Sequence, residues 1–220
     1  MLIKLFHGSY DIIKEPKLEL GKPNNDFGRG FYCTESIELA KEWACQRNTD
    51  GFANEYFLNM DGLNVLNLMD KSYGVLNWLA LLVKNRFFDN HNKIEKDAMK
   101  FLFDKYLIDL ESYDVIIGPR ADDSFFAYAK AFLKNTITIE ELEEIMAFGD
   151  MGTQIVLISN KAFHQLVFSN IYIAKRNKYY AKFHNRDSKA RNDYQNLLQS
   201  ETRISGTYII DLIRKEKRKQ

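Results

Sequence analysis

The residues of this sequence that could do chemistry together are His7, Gly8 and Ser9 near the start, Gly30, Tyr32 and Trp43 a little further on, and Gln154 far downstream. Gly28 and Gly30 lack the Cβ that keeps a backbone away from a flat ligand, and they also let a chain turn sharply. Tyr32 and Trp43, eleven positions apart, form an aromatic pair that could close on a planar ring. Core packing is the other reading of both aromatics. The dinucleotide-binding fingerprint is not met, because Cys33 stands where its third glycine belongs. His7 is either a ligand-facing group or a satisfied histidine at a strand end. Gln154 can accept a hydrogen bond through its carbonyl but carries no charge and is no base at neutral pH.

The elements that position these residues follow from local pattern. Residues 2–6 are an apolar run closed by Gly8-Ser9, a buried first strand that delivers His7 at its end. Residues 31–34 read as a short strand, and from Ser36 the apolar positions Ile37, Leu39, Ala40, Trp43 and Ala44 fit helical spacing. Between them, residues 11–25 carry Pro16, Gly21 and Pro23 and predict an irregular connection. Asp61-Gly62 between residues 55–60 and 63–68 predicts a hairpin, since Asp-Gly supplies the positive φ of a two-residue turn. Helical spacing over 73–88 and 94–110 puts Trp78, Leu79, Leu82, Phe101, Leu102 and Tyr106 in a core. The β-branched run 113–118, ended by Gly118-Pro119, predicts a central strand.

Asp122-Asp123 follow that strand, as a solvated loop or as a polar wall of a cleft opposite Arg120. A helical run over 125–133 precedes Thr138-Ile139-Glu140-Glu141, a capping box that opens a helix through Ala147. The loop 148–153 then delivers Gln154 to the start of a strand over 155–158. A short helix over 160–166, a strand over 167–174 and helical patterns over 186–198 and 208–213 complete the chain.

At 220 residues the chain is long enough for one substantial core, or for a main domain over 1–175 with a helical extension over 176–220. Lys and Arg number 31 against 30 Asp and Glu, so net charge gives no reason to expect wholesale nucleic-acid binding. Residues 171–220, however, hold thirteen basic against five acidic residues. That basic tail is either a solvated end or a surface for RNA, DNA or an acidic protein. Two cysteines without metal-ligand spacing predict a reducing compartment and no metal site. The first residues lack a charged leader, and no apolar run reaches membrane-spanning length, so the expectation is a cytoplasmic protein without a membrane partner.

The stretches Phe6-His7-Gly8-Ser9, Asp26-Phe27-Gly28-Arg29-Gly30-Phe31-Tyr32, Tyr113-Asp114-Val115-Ile116-Ile117-Gly118-Pro119, Ala121-Asp122-Asp123 and Gln154-Ile155-Val156 together carry a resemblance. The chain resembles the ADP-ribosyltransferase superfamily in its diphtheria-toxin and poly(ADP-ribose) polymerase branch. It is closer still to a bacterial family of unknown function that looks like a divergent member. The resemblance implies an α+β fold with a split, mainly antiparallel sheet and surrounding helices. It implies NAD as the substrate, with His7 on a ribose hydroxyl, the Gly8 backbone on the nicotinamide carboxamide, and Ser9 and Gly30 alongside. Tyr32 and Trp43 would grip the nicotinamide ring. Gln154 falls where the superfamily's catalytic glutamate usually stands, with Asp150, Asp122 or Asp123 as substitutes for the missing charge. The activity implied is mono-ADP-ribosyl transfer to a macromolecule, protein or nucleic acid, in a toxin with a small neutralising protein partner. A catalytically inactive NAD- or nucleotide-binding module acting through its basic tail is the alternative.

Overall fold

Leu5 and Phe6 are consecutive and both buried, so the first strand must be covered on both faces. That requirement sets the architecture. In the computed structural model, which describes residues 1–88, 92–121, 123–148, 152–199 and 205–219, the chain forms two units. The first comprises Met1–Asp70, Asp109–Arg120 and Gly152–Arg186. It contains β1 (Leu2–Ser9), β2 (Phe31–Cys33), α1 (Ile37–Ala44), β3 (Gly51–Asn59), β4 (Val65–Asn67), and then, after a long excursion, β5 (Val115–Pro119), β6 (Thr153–Leu157), α6 (Asn160–His164) and β7 (Leu166–Ala174).

The strands form two mostly antiparallel sheets, ordered β1-β3-β7 and β2-β6-β5-β4, with β4 and β5 the parallel pair. Among the described residues one bridge joins the sheets. There the Phe6 N–H donates to the Thr34 carbonyl (2.7 Å) and the Thr34 N–H to the Phe6 carbonyl (2.9 Å). One apolar layer packs Leu5, Phe31, Cys33, Tyr56, Ile155 and Leu157 together with Ala162 of α6. On the other side Phe6 and Ala53 pack on Ala40 of α1. Helix α1 opens at Ser36, whose hydroxyl accepts the Leu39 N–H. The fold is therefore α+β.

The Asp61-Gly62 turn forms, with Gly62 at φ +72°, but no hairpin follows it. Strand β3 already has β1 on one edge and β7 on the other, so no edge is left for β4, which pairs with β5 in the second sheet. A local turn signal was overridden by long-range pairing.

The second unit comprises Lys71–Ile108, Ala121–Met151 and Asp187–Gln220. Its helices are α2 (Val75–Asn85), α3 (Lys93–Tyr106), α4 (Asp123–Leu133), α5 (Ile139–Phe148) and α8 (Ile209–Lys217), with the later part of α7 (Arg176–Gln199). Trp78, Leu79, Leu82 and Leu102 are buried, as their spacing predicts. The expected capping box is present: the Glu141 carboxylate accepts the Thr138 N–H (2.7 Å), and Thr138 Oγ1 accepts the Glu141 N–H (3.1 Å).

Helix α7 begins ten residues before the helical pattern expected from 186. The cause is tertiary. Tyr179 is buried with Ala44, Cys45 and Ala174, and its hydroxyl donates to Glu38 (2.9 Å). Lys182 binds Glu38 (2.8 Å), while Arg186 forks onto the two oxygens of Glu42 at 3.1 Å each. Part of the basic tail is thus neutralised by α1. Cys33 and Cys45 are buried free thiols, and among the described residues no helix is long and apolar enough to cross a membrane.

Candidate functional site

Strand register determines which residues can meet. Tyr32 lies opposite Val156, and Gly118 opposite Gln154, so alternation places Tyr32, Val156, Gln154 and Gly118 on one face of the second sheet. Phe31, Cys33 and Ile155 lie on the other. Because Phe6 pairs with Thr34, the same alternation puts His7 on the Phe31 side. The His7 ring stacks on Phe31, with centroids 4.3 Å apart. It crosses the junction by donating from Nδ1 to the backbone carbonyl of Tyr32 (2.7 Å). A carbonyl only accepts, so the hydrogen sits on Nδ1 and Nε2 is left as an acceptor. Burial lowers the His7 pKa, and the Tyr32 carbonyl offsets this in part by favouring the charged ring. The imidazole is neutral at pH 7.

The phenol of Tyr32 belongs to the glycine turn. Its hydroxyl donates to the Gly28 carbonyl (2.8 Å) and accepts the Phe27 N–H (3.0 Å). Phe27 in turn packs beside Gly118, where an added Cβ would come 3.0 Å from the ring. The Asp26–Gly30 turn is thereby bound to the Tyr32 and Gln154 face. Gly30 lies against β6, and a Cβ there would stand 2.7 Å from Val156 Cγ1.

Gly8 runs beneath helix α1. A Cβ on it would stand 2.0 Å from the Ala40 carbonyl oxygen and 2.8 Å from Trp43 Cβ. Helix packing alone therefore requires glycine here, before any ligand is considered. Ser9 accepts the Asp11 N–H on its hydroxyl (3.1 Å) and shapes the turn after β1. Trp43 is half-buried, with the Arg120 guanidinium over its ring at 4.9 Å. Its Nε1–H is buried and has no hydrogen-bond partner among the described residues.

Gln154 is 2% exposed, and its amide group is fixed by two acceptors. Nε2 donates to Asp26 Oδ2 (3.1 Å) and to the Pro119 carbonyl (3.2 Å). Its Oε1 takes part in no hydrogen bond among the described residues. Asp26 is itself 3% exposed. This carboxylate was not given a role from sequence, although it opens the Asp26-Phe27-Gly28-Arg29-Gly30 motif. The contact spans 128 positions, and no local pattern encodes it. Of the three acids expected near Gln154, Asp150 and Asp122 lie outside the described residues, and Asp123 begins α4 in the second unit. Among the described residues no group of three or more His, Cys, Asp or Glu is placed to hold a metal.

The structure thus brings together His7 with the Tyr32 backbone, Gly8 with Trp43, and Gln154 with Asp26, all within the first unit. The class these features define is an α+β protein with two mostly antiparallel sheets meeting at one bridge, polar side chains of β1 and β6 being fixed on either side of it. Residues 3–168 match the family described as protein of unknown function (DUF3990), and the chain belongs to that family. No curated protein and no solved structure matches it.

Proposed function

We propose that this protein is an NAD-dependent mono-ADP-ribosyltransferase acting on a macromolecular acceptor. The observation that carries this reading is the junction of the two sheets. There the neutral His7 of β1 is held on the backbone of β2 at Tyr32, Gly8 runs beside Trp43, and the buried Asp26–Gln154 pair lies on the opposite face of the second sheet. The reaction breaks the bond between nicotinamide and ribose and forms a bond from the acceptor nucleophile to the same ribose carbon. Nicotinamide leaves with the bonding electrons as a neutral ring, and the acceptor's proton is released. The difficult point is the positive charge that grows on the ribose.

His7 Nε2, as a lone-pair acceptor, suits a ribose hydroxyl. Trp43 offers a ring face suited to a planar cation, which the pyridinium of NAD is, and the vacant Nε1–H offers a donor. The carbonyl of Gln154 suits a second ribose hydroxyl. A bacterial toxin restrained by a small protein partner is the biological setting this chemistry fits.

The competing reading is a nucleotide-binding module without turnover. It is favoured by Gln154, whose amide is neutral and held by two acceptors. Incubating the protein with NAD labelled on the adenylate phosphate and with total cell lysate separates the two. Label transferred to protein or nucleic acid, together with released nicotinamide, is the expected result. Saturable NAD binding with neither product would establish the binding module instead.

A further inference from the structure

We infer that Asp26 carries the negative charge of this site and that Gln154 is the positioning residue that holds it, an inference that rests on the transferase reading above. The pair is buried on both sides, and the amide bridges Asp26 Oδ2 and the Pro119 carbonyl at 3.1 and 3.2 Å. Both contacts need a donor at position 154. A glutamate there would set a carboxylate oxygen about as close to Asp26 as a hydrogen bond, and facing a carbonyl lone pair. Two carboxylates at that separation do not both ionise, so they would share one proton. Glutamine is therefore the residue type that Asp26 dictates. The pair as it stands bears one negative charge and one amide, with the charge on the loop and the amide on the strand.

Placed this way, the charge acts in two directions. It polarises the Gln154 amide, making Oε1 a stronger acceptor for a ribose hydroxyl, because hydrogen-bonded groups in a low-dielectric interior reinforce one another. It also opposes the cation that develops on the ribose from behind the amide, in a region shielded from water. Gln154→Glu consequently brings in a shared proton rather than a second charge. It is expected to lower the melting temperature and not to raise NAD turnover.

The test is a charge swap across the contact. Asp26→Asn removes the charge and is expected to lower kcat for nicotinamide release on the order of a hundredfold, with KM for NAD changed little, because the charge acts on the transition state. Asp26→Asn combined with Gln154→Glu restores one charge and one amide in exchanged positions. Turnover should recover most of what Asp26→Asn loses, and melting temperature only the part that belongs to the contact between positions 26 and 154, because a carboxylate at 154 still faces the Pro119 carbonyl. If Asp26→Asn melts too low to assay, the double variant decides alone: regained turnover supports the inference, and a folded but inert protein overturns it. A folded Asp26→Asn with native kcat overturns this inference and leaves the transferase reading standing. Absence of any NAD turnover by the native protein overturns both.

Discussion

The guanidinium of Arg120, the first residue after β5, lies 4.9 Å over the ring of Trp43. A planar cation already covers the aromatic face on which a pyridinium would stack. Arg120 must therefore move, or share the ring, for NAD to use Trp43.

Removing the covering group should help the ligand. Arg120→Ala is expected to tighten NAD binding a few-fold, and Trp43→Ala to weaken it by about tenfold, the range of one cation–π contact. Isothermal titration on both folded variants checks this. Weaker binding by Arg120→Ala would mean that the guanidinium contacts the dinucleotide instead.

The neutral ring of His7 makes a pH prediction. Its folded pKa lies below the ordinary 6.5. Between 6.5 and that lowered value the unfolded chain takes up a proton that the folded chain refuses, so stability is lost as pH is lowered through that window and is intact above it. His7→Gln should flatten the melting-temperature profile there and abolish transfer. His7→Ala should also cost about 1–2 kcal/mol, because it loses both the Phe31 stack and the Tyr32 bond.

Gly8 offers a test of packing against ligand clearance. Gly8→Ala drives a methyl into the Ala40 carbonyl and should destabilise the protein by about 3 kcal/mol, measured by urea unfolding without ligand. A folded Gly8→Ala of native stability that fails to bind NAD would restore the ligand as the reason for glycine.

The basic tail needs a test that spares the fold. Truncation before α7 would remove Tyr179 and uncover Ala44, Cys45 and Ala174, so substitution is the cleaner experiment. Arg214, Lys215 and Lys217 are exposed on α8, and neutralising them should weaken binding to RNA or DNA and reduce its salt dependence, read by fluorescence anisotropy. Unaltered affinity would leave these charges as a solvated surface. On α7, Lys182 holds the Glu38 carboxyl down at about 2, so this anchor persists through ordinary acidification.

Much of the scaffold was legible because it is local. The strand at 31–34, helix α1, the central strand ending at Pro119 and the Thr138–Glu141 box each follow from spacing or cap chemistry within a few residues. What was not legible depends on partners far along the chain. The Asp61-Gly62 signal was real as a turn, yet β1 and β7 decided where β3 would pair. The packing reason for glycine at position 8 was not legible, because nothing in the sequence places Ala40 above it. Asp26 went unassigned for the same reason: its partner is the first inward residue of β6.

The order of the second sheet, β2-β6-β5-β4, bears on what happens during synthesis. The strand that joins β2 to β5 is β6, among the later ones to leave the ribosome, whereas β1 and β3 can pair early. A nascent chain halted before residue 153 already carries His7, Tyr32 and Trp43, but lacks the Gln154 amide that binds Asp26. Until the last third of translation the second sheet therefore lacks its joining strand, and anything that captures β2 or β5 in that interval would meet an incomplete site.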